Sequence, residues 1–246
     1  MATIFPDTVK ASVCMATYNG EPFIGRQLRS ILEQLGSQDE VIVSDDGSTD
    51  KTLAIVGSFA DSRIRIFKNE GRKGPVGNFE NALRQASGQY IVLADQDDEW
   101  LPGKLTSVQK ALQTADLVLT NCRVVDQHGT IIWPSFFVHR GSRPGFIKNL
   151  LKNSYVGCCM AFRRDVLAYA LPFPAYIHMH DWWIGLLVEA KGNVAFLAEP
   201  MINYVRHGNN ASPTGESGYG LYRQIINRLM MITNLIPRLL TSPRKS

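Results

Sequence analysis

In the first half of the chain, short apolar runs alternate with stretches whose apolar positions recur every three or four residues. Ala11–Thr17 and Glu40–Asp45 are strand-length runs. Between them, residues 21–35 set Phe23, Ile24, Leu28, Ile31, Leu32 and Leu35 on one helical stripe. Residues 49–59 predict a second helix, with Ser48 or Thr49 as its cap. A short strand at 64–67, a helix at 77–86, a strand at 90–95, a helix at 104–112 and a strand at 117–121 continue the series. Strands that alternate with helices predict parallel βαβ units, hence an α/β protein built on a mostly parallel sheet.

Beyond residue 122 the pattern is less regular. Residues 124–133 read as a hairpin turning at Gln127-His128-Gly129, 144–152 as a short helix and 157–163 as a strand. A helix at 182–190 and two short strands at 194–197 and 202–205 follow. Neither an internal repeat nor a linker breaks the chain, so residues 1–215 are expected to form one domain. The segment 216–246 differs. Leu221, Ile225, Leu229, Ile232, Ile236 and Leu240 fall at steps of three or four, and Pro237 is expected to kink or end the helix they define. A basic amphipathic tail of this kind fits a membrane interface or a stripe packed on the domain.

Composition narrows the classes. The chain has 246 residues and is 45% hydrophobic, with no apolar run of transmembrane length and no signal-peptide pattern at its start. A cytoplasmic protein is expected, with attachment at the inner face of the cell membrane as an option for the tail. Cys14, Cys122, Cys158 and Cys159 form no CxxC pair, which predicts buried free thiols. Asn210-Ala211-Ser212 matches a glycosylation sequon, without consequence in that compartment. The net charge of +4 is uneven: five basic residues follow Glu216, the last acid, which leaves 21 of the 26 basic residues against 22 acids in the body. A near-neutral body argues against nucleic-acid binding, and the basic tail for a membrane-facing or partner-facing role.

Candidate chemistry lies at the strand ends. Asp95-Gln96-Asp97-Asp98 puts three carboxylates directly after an apolar strand. Clustered negative charge needs a cation to share it, and oxygen ligands suit Mg²⁺ or Mn²⁺, which in turn would hold a diphosphate. The plainer alternative is a solvated acidic turn with Asp98 as a helix cap. Thr17-Tyr18-Asn19-Gly20, Asp45-Asp46-Gly47-Ser48-Thr49-Asp50 and His180-Asp181-Trp182-Trp183 also sit at strand ends or open a helix. Polar loops at successive strand ends of a parallel sheet converge on one crevice.

Taken together and in this order, Ala16-Thr17-Tyr18-Asn19-Gly20, Ser44-Asp45-Asp46-Gly47-Ser48-Thr49-Asp50, Asn78, Ala94-Asp95-Gln96-Asp97-Asp98 and His180-Asp181-Trp182-Trp183 resemble the family-2 glycosyltransferases of GT-A fold. The resemblance covers roughly residues 10–210. With Tyr204-Val205-Arg206-His207-Gly208-Asn209-Asn210 downstream, the sequence is similar to the bacterial rhamnosyltransferase-like branch. The resemblance implies a Rossmann-like sheet with a nucleotide-binding half over about 1–121 and an acceptor half over about 122–215. It implies that Thr17, Tyr18 and Asn19 line the nucleotide pocket, that Asp45 accepts from the base, and that Asp46 and Gly47 shape the adjoining turn. Lys73, Gly74 and Asn78 would lie near the nucleotide or its phosphates. Asp97 would contact the metal, Asp95 the ribose or a metal-bound water, and His207 would complete the metal shell.

Asp181 is by the same resemblance the general base of an inverting, single-displacement transfer. The helix N-terminus and any nearby cation are expected to keep it ionised at neutral pH. Trp182 and Gly157 would belong to the acceptor side, with Trp182, Trp183, Trp100 and Trp133 as candidate stacking platforms and Trp183 the one most suited to the core. The reaction so implied moves a hexosyl group, dTDP-L-rhamnose being the favoured donor, to a sugar or polyprenyl-linked sugar in surface-polysaccharide synthesis. UDP-glucose, UDP-galactose and UDP-N-acetyl sugars are alternatives. A nucleotidyltransferase would carry a glycine-rich loop with a Lys or Arg after the first strand, which Thr17-Tyr18-Asn19-Gly20 is not. A non-catalytic sugar-binding module would not need Asp45, Asp95, Asp97 and Asp181 together. Two positions depart from the family: Ala16 replaces a common Pro, and His180 a common Glu.

Overall fold

A computed structural model of the chain describes residues 10–208 and 220–241. The first half forms β1 (Ala11–Thr17), β2 (Glu40–Asp45), β3 (Ile64–Lys68) and β4 (Tyr90–Asp95), joined by α1 (Ile24–Leu32), α2 (Thr52–Ser58) and α3 (Pro75–Gln85). These strands are parallel and lie in the order β3-β2-β1-β4. β2, β1 and β4 are buried along almost their whole length, as strands covered on both faces must be. β3, at the edge, is the one with exposed charged positions, Arg65 and Lys68.

The second half comprises β5 (Glu99–Trp100), α4 (Lys104–Ala111), β6 (Leu117–Asp126), β7 (Ile131–Trp133), α5 (Phe136–Arg140) and α6 (Phe146–Leu151). A 3-10 turn (Gly157–Cys159), β8 (Met160–Arg163), α7 (Leu167–Ala170), α8 (His180–Lys191), β9 (Val194–Arg206) and α9 (Leu221–Thr241) follow. The sheet continues β4-β8-β6-β9-β5, with β7 paired to β6. β8 runs antiparallel between β4 and β6, while β6 and β9 are parallel. The result is the mostly parallel α/β sheet expected. α8 is buried on all sides from His180 to Val188, which is how a helix at the centre of a core behaves.

Several elements differ from the sequence reading. The strands at 194–197 and 202–205 are one continuous β9; its register against β6 shifts around Asn121, opposite Pro200, which has no N–H to give the ladder. The second helix begins at Thr52 rather than 49, because the Asp50 carboxylate accepts from the Thr52 amide and hydroxyl. Ser48 and Thr49 are not its caps: both bond across to Asn19. Only the second part of 157–163 is strand, after the 3-10 turn. Asp98 is not a helix cap either; its Oδ1 accepts from the amide of Val205 on β9. The four cysteines are buried and free.

α9 runs through Pro237, which removes one backbone donor without ending the helix. It packs against α8 along Met231 and Leu235, and the Arg238 guanidinium donates to the carbonyls of Tyr169, Leu171 and Pro172. The stripe that the sequence singled out lies beside this contact line: Leu229 is 56% exposed, Ile236 55% and Leu240 80%. No helix among the described residues is long and apolar enough to cross a membrane. The sequon at Asn210 and the expected boundary at 215–216 lie outside the described residues.

Candidate active site

The C-terminal ends of β1 and β2 are locked to each other by side chains. Asp45, almost fully buried, accepts from the Thr17 hydroxyl (3.1 Å), the Ser48 hydroxyl (2.5 Å) and the amides of Gly47 (3.0 Å) and Ser48 (2.9 Å). These four bonds fill the roughly four acceptor positions of a carboxylate. Gly47 adopts φ +95, which only glycine takes without strain, and so lets the turn fold back onto Asp45. Asn78, also buried, accepts from the Ser44 hydroxyl (2.6 Å) and donates to the Thr17 carbonyl (3.0 Å). Asn19 reaches the Thr49 amide through its Oδ1 (2.9 Å). Asp46 accepts from Asn69 (2.7 Å) and from the Gly74 amide (2.8 Å), with the Lys73 ammonium 3.5 Å away. Among these residues Tyr18 leaves its ring open to solvent, at 56% exposure.

One residue of this loop system received no role from the sequence. The Gln96 side-chain amide pairs with the backbone of Tyr18, accepting from its N–H and donating to its carbonyl, both at 2.9 Å. It thereby ties the end of β1 to the end of β4. A Cβ on Gly20 would meet Gln96 Oε1 at 2.2 Å, so that position must stay small. The signal was present as the residue between the paired acids of Asp95-Gln96-Asp97.

β4 delivers the acids. Asp97 Oδ2 lies 2.8 Å from His207 Nε2, and Phe23 stacks on the His207 ring at 4.3 Å. His207 directly follows β9, which Asp98 and Glu99 hold through Val205 and Asn203. Asp95, Asp98 and Cys158 present ligand atoms within 4.8 Å of one another. Burial, then the neighbouring charges of Asp97 and Asp181, pushes the Asp95 carboxyl up to about 8. Burial and the same cluster raise Asp98, whose Oδ2 is buried with no partner beyond the Cys158 thiol that faces its carboxyl. Lys104, wholly buried, gives its ammonium to the Cys158 carbonyl (2.8 Å) and the Trp100 ring (4.3 Å) instead. Crowded carboxylates with an unsatisfied oxygen are a donor set suited to a divalent ion.

Asp181 stands in the first turn of α8 and is buried. It accepts from the Trp182 amide at 2.6 Å and from the Gly157 amide. Burial nevertheless pushes it up to about 7, so the expectation that the helix N-terminus would hold it low is corrected. Its neighbour His180 supplies no cation: burial pushes that imidazole down to about 3, its ring stacks on Phe79 at 4.1 Å, and both ring nitrogens lack partners. Gly157 packs against this pair; a Cβ there would lie 3.1 Å from His180 Nε2. Trp182 and Trp183 are buried and give their indole N–H groups to Asn149 and Ala170 carbonyls, so they are walls rather than open platforms. Trp100 is buried too, and Trp133, half-buried, stacks on His139 at 3.6 Å.

Thr17, Asp45 and Asn78 thus form a hydrogen-bonded frame with Ser44 and Ser48, Asp97 pairs with His207, and Asp181 sits against Gly157. The Asp95 carboxyl feels the charges of both Asp97 and Asp181, so the three acids are neighbours.

Comparison with known proteins bears on this arrangement. Residues 12–170 match the family model for glycosyl transferase family 2. The chain is 31% identical over 191 residues to WfgD of Escherichia coli, named as a UDP-Glc:alpha-D-GlcNAc-diphosphoundecaprenol beta-1,3-glucosyltransferase; the match covers 77% of this chain and 73% of that one. It is 26% identical over 229 residues to the dTDP-rhamnosyl transferase RfbG of Shigella flexneri, covering 86% and 78%. Among solved structures, TarS 1-349 of S. aureus in complex with UDP-GlcNAc superposes with a TM-score of 0.68 at 20% identity, over 93% of this chain and 69% of that one. The mannosyltransferase PcManGT of Pyrobaculum calidifontis, in complex with GDP-Man and Mn2+, gives 0.61 at 24% identity, over 96% and 66%. The fold is the GT-A fold that the motifs implied.

Proposed function

Because the chain belongs to glycosyl transferase family 2, we propose that its crevice transfers a hexosyl group from a nucleoside-diphosphate sugar to a lipid-linked sugar with inversion at the anomeric carbon. The observation that carries the reading is the Asp95 carboxyl, which feels the charges of both Asp97 and Asp181 and so supports a joint role for the three acids. Asp181 takes the proton of an acceptor hydroxyl as that oxygen bonds to the anomeric carbon. The bond from that carbon to the diphosphate oxygen breaks on the far side, and the electron pair leaves with the nucleoside diphosphate. A carboxylate whose pKa lies near neutrality is well matched to this task. Asp97, Asp95 and His207 would hold a Mg²⁺ or Mn²⁺ ion, which would offer positive charge to the departing diphosphate.

Tyr18, exposed at the end of β1, is the ring on which the base stacks. With the acceptor positions of Asp45 occupied by its own turn, that residue acts mainly by fixing Thr17 and Ser48 around the base, and Asp46 with Lys73 borders the same loop. Gly157 and the buried Trp182 shape the acceptor side.

For the donor, UDP-glucose leads, since WfgD is named for it and shares 31% identity. The likeness to RfbG keeps dTDP-L-rhamnose as the second reading. WfgD is also named for a diphosphoundecaprenol-linked acceptor, which motivates the lipid-linked acceptor here. The test is a donor screen that follows nucleoside diphosphate release, paired with calorimetry of UDP and dTDP with and without Mn²⁺. Metal-dependent binding of one nucleotide and turnover of its sugar are expected; absent or metal-independent binding of both would overturn the proposal.

A further inference from the structure

Two acid-free stretches of the chain meet on one side of the molecule. Residues 127–164 contain neither Asp nor Glu but carry Arg140, Arg143, Lys148 and Lys152 around α5 and α6. α9 has no acid either and carries Arg223, Arg228 and Arg238. The Arg228 guanidinium donates to the Leu151 carbonyl, which joins the end of α6 to α9. Lys148 has its pKa lowered by burial and by Lys152, Arg140 and Arg143, so these cations crowd together; Glu189 of α8 is the acid that faces them.

Both helices turn large apolar side chains to solvent beside these cations. Ile147 and Leu151 do so on α6. On α9, Tyr222, Ile225, Leu229, Ile236 and Leu240 are exposed, and their spacing of three, four and seven residues puts them on one face. Met231 and Leu235 are buried on the other. The helix therefore has two apolar faces, one held by the body and one left bare. A bare apolar face on two helices that carry no acid, with the α6 cations beside it and Glu189 set behind them on α8, is complementary to anionic headgroups over acyl chains.

We propose that α6 and α9 together form a membrane-docking face that seats the enzyme on an anionic lipid bilayer. This deepens, and rests on, the reading of a lipid-linked acceptor, because an enzyme held at the bilayer meets such an acceptor within the membrane plane. Arg143, Lys148, Lys152 and Arg223 face the headgroups, while Leu151, Leu229 and Ile236 enter the interface.

The test is co-sedimentation of the full chain with vesicles of phosphatidylcholine alone and of phosphatidylcholine mixed with phosphatidylglycerol, beside calorimetry of UDP binding. Partitioning onto the anionic vesicles is expected, and it should weaken as salt rises. The double substitution Leu229→Glu with Ile236→Glu should lower it roughly tenfold or more, since two large apolar side chains lose their burial. Arg143→Ala and Lys152→Ala should each lower it about fivefold. All four positions are solvent-facing and far in sequence from the acids, so nucleotide binding should be unchanged. A wild-type chain that binds nucleotide but ignores anionic vesicles overturns the docking face and leaves the transfer reading intact. Glutamate variants that partition like wild type also overturn it. So does a wild-type dimer in sedimentation velocity that Leu229→Glu dissolves, which would assign the face to a second copy.

Discussion

The end of β2 and the end of β4 both present adjacent carboxylates at the same edge of the parallel strands, but they are built on opposite terms. Asp45 and Asp46 are saturated: hydroxyls, backbone amides and the Lys73 ammonium meet their oxygens. Asp98 and Asp181 are buried, Asp95 is half-buried and feels the charges of Asp97 and Asp181, and the pKa values of all three rise in consequence. A carboxylate that its surroundings already satisfy holds a shape. One left in want of positive charge or of a proton is available for chemistry. Counting acids does not separate the two groups; counting their partners does.

The comparison breaks most readily at Asp181. Asp181→Asn keeps the size of the side chain and removes the base, so kcat should fall about a hundredfold to ten-thousandfold while calorimetry returns wild-type nucleotide binding. Equal turnover would move Asp181 into the structural group. The pH profile sharpens the same point. The base must be ionised to act, and burial holds Asp181 up to about 7. Thus kcat/KM should climb through neutrality and fall about tenfold for each pH unit below that value, instead of staying flat down to the ordinary carboxylate range.

Asp45 probes the saturated side. Asp45→Asn puts a donor where backbone amides now donate, and thermal or urea unfolding should register a loss of about 1–3 kcal/mol. The smallest effect is expected at Asp98. Asp98→Asn keeps an acceptor for Val205 and removes a group whose ionised form burial, Asp97 and Asp95 all oppose, so in metal-free buffer at alkaline pH Tm should rise by about 2–4 °C. A fall in Tm would show that Asp98 is already satisfied and belongs with Asp45.

The two groups were not equally legible in the sequence. β1, β2 and β4 appear with the bounds expected, because each is an uninterrupted apolar run covered on both sides by helices. All the crevice acids stood in recognisable motifs. Partnership, however, is a property of tertiary contacts: nothing local to Asp45 announces Thr17, 28 residues away, or to Asp98 announces Val205, 107 residues away. The same holds for Gln96, whose partner Tyr18 lies 78 positions earlier. The expectation for Asp181 failed for a related reason: a helix terminus is visible in sequence, whereas enclosure is not. In the second half, two short strands were expected at 194–197 and 202–205, where a register shift lets one continue. On α9 the regular apolar stripe fitted either a membrane interface or packing on the domain, and the body grips the line next to it.

β9 has a consequence of its own. Its end is fastened to the β4–β5 loop through Val205 on Asp98 and Asn203 on Glu99, and the next residue, His207, meets Asp97. That loop and the final strand are therefore a single mechanical part. Slack introduced anywhere between Asn203 and His207, such as one inserted glycine, would unhitch the imidazole from the acid while leaving every motif letter in place, so an intact set of motifs is no guarantee of a working enzyme.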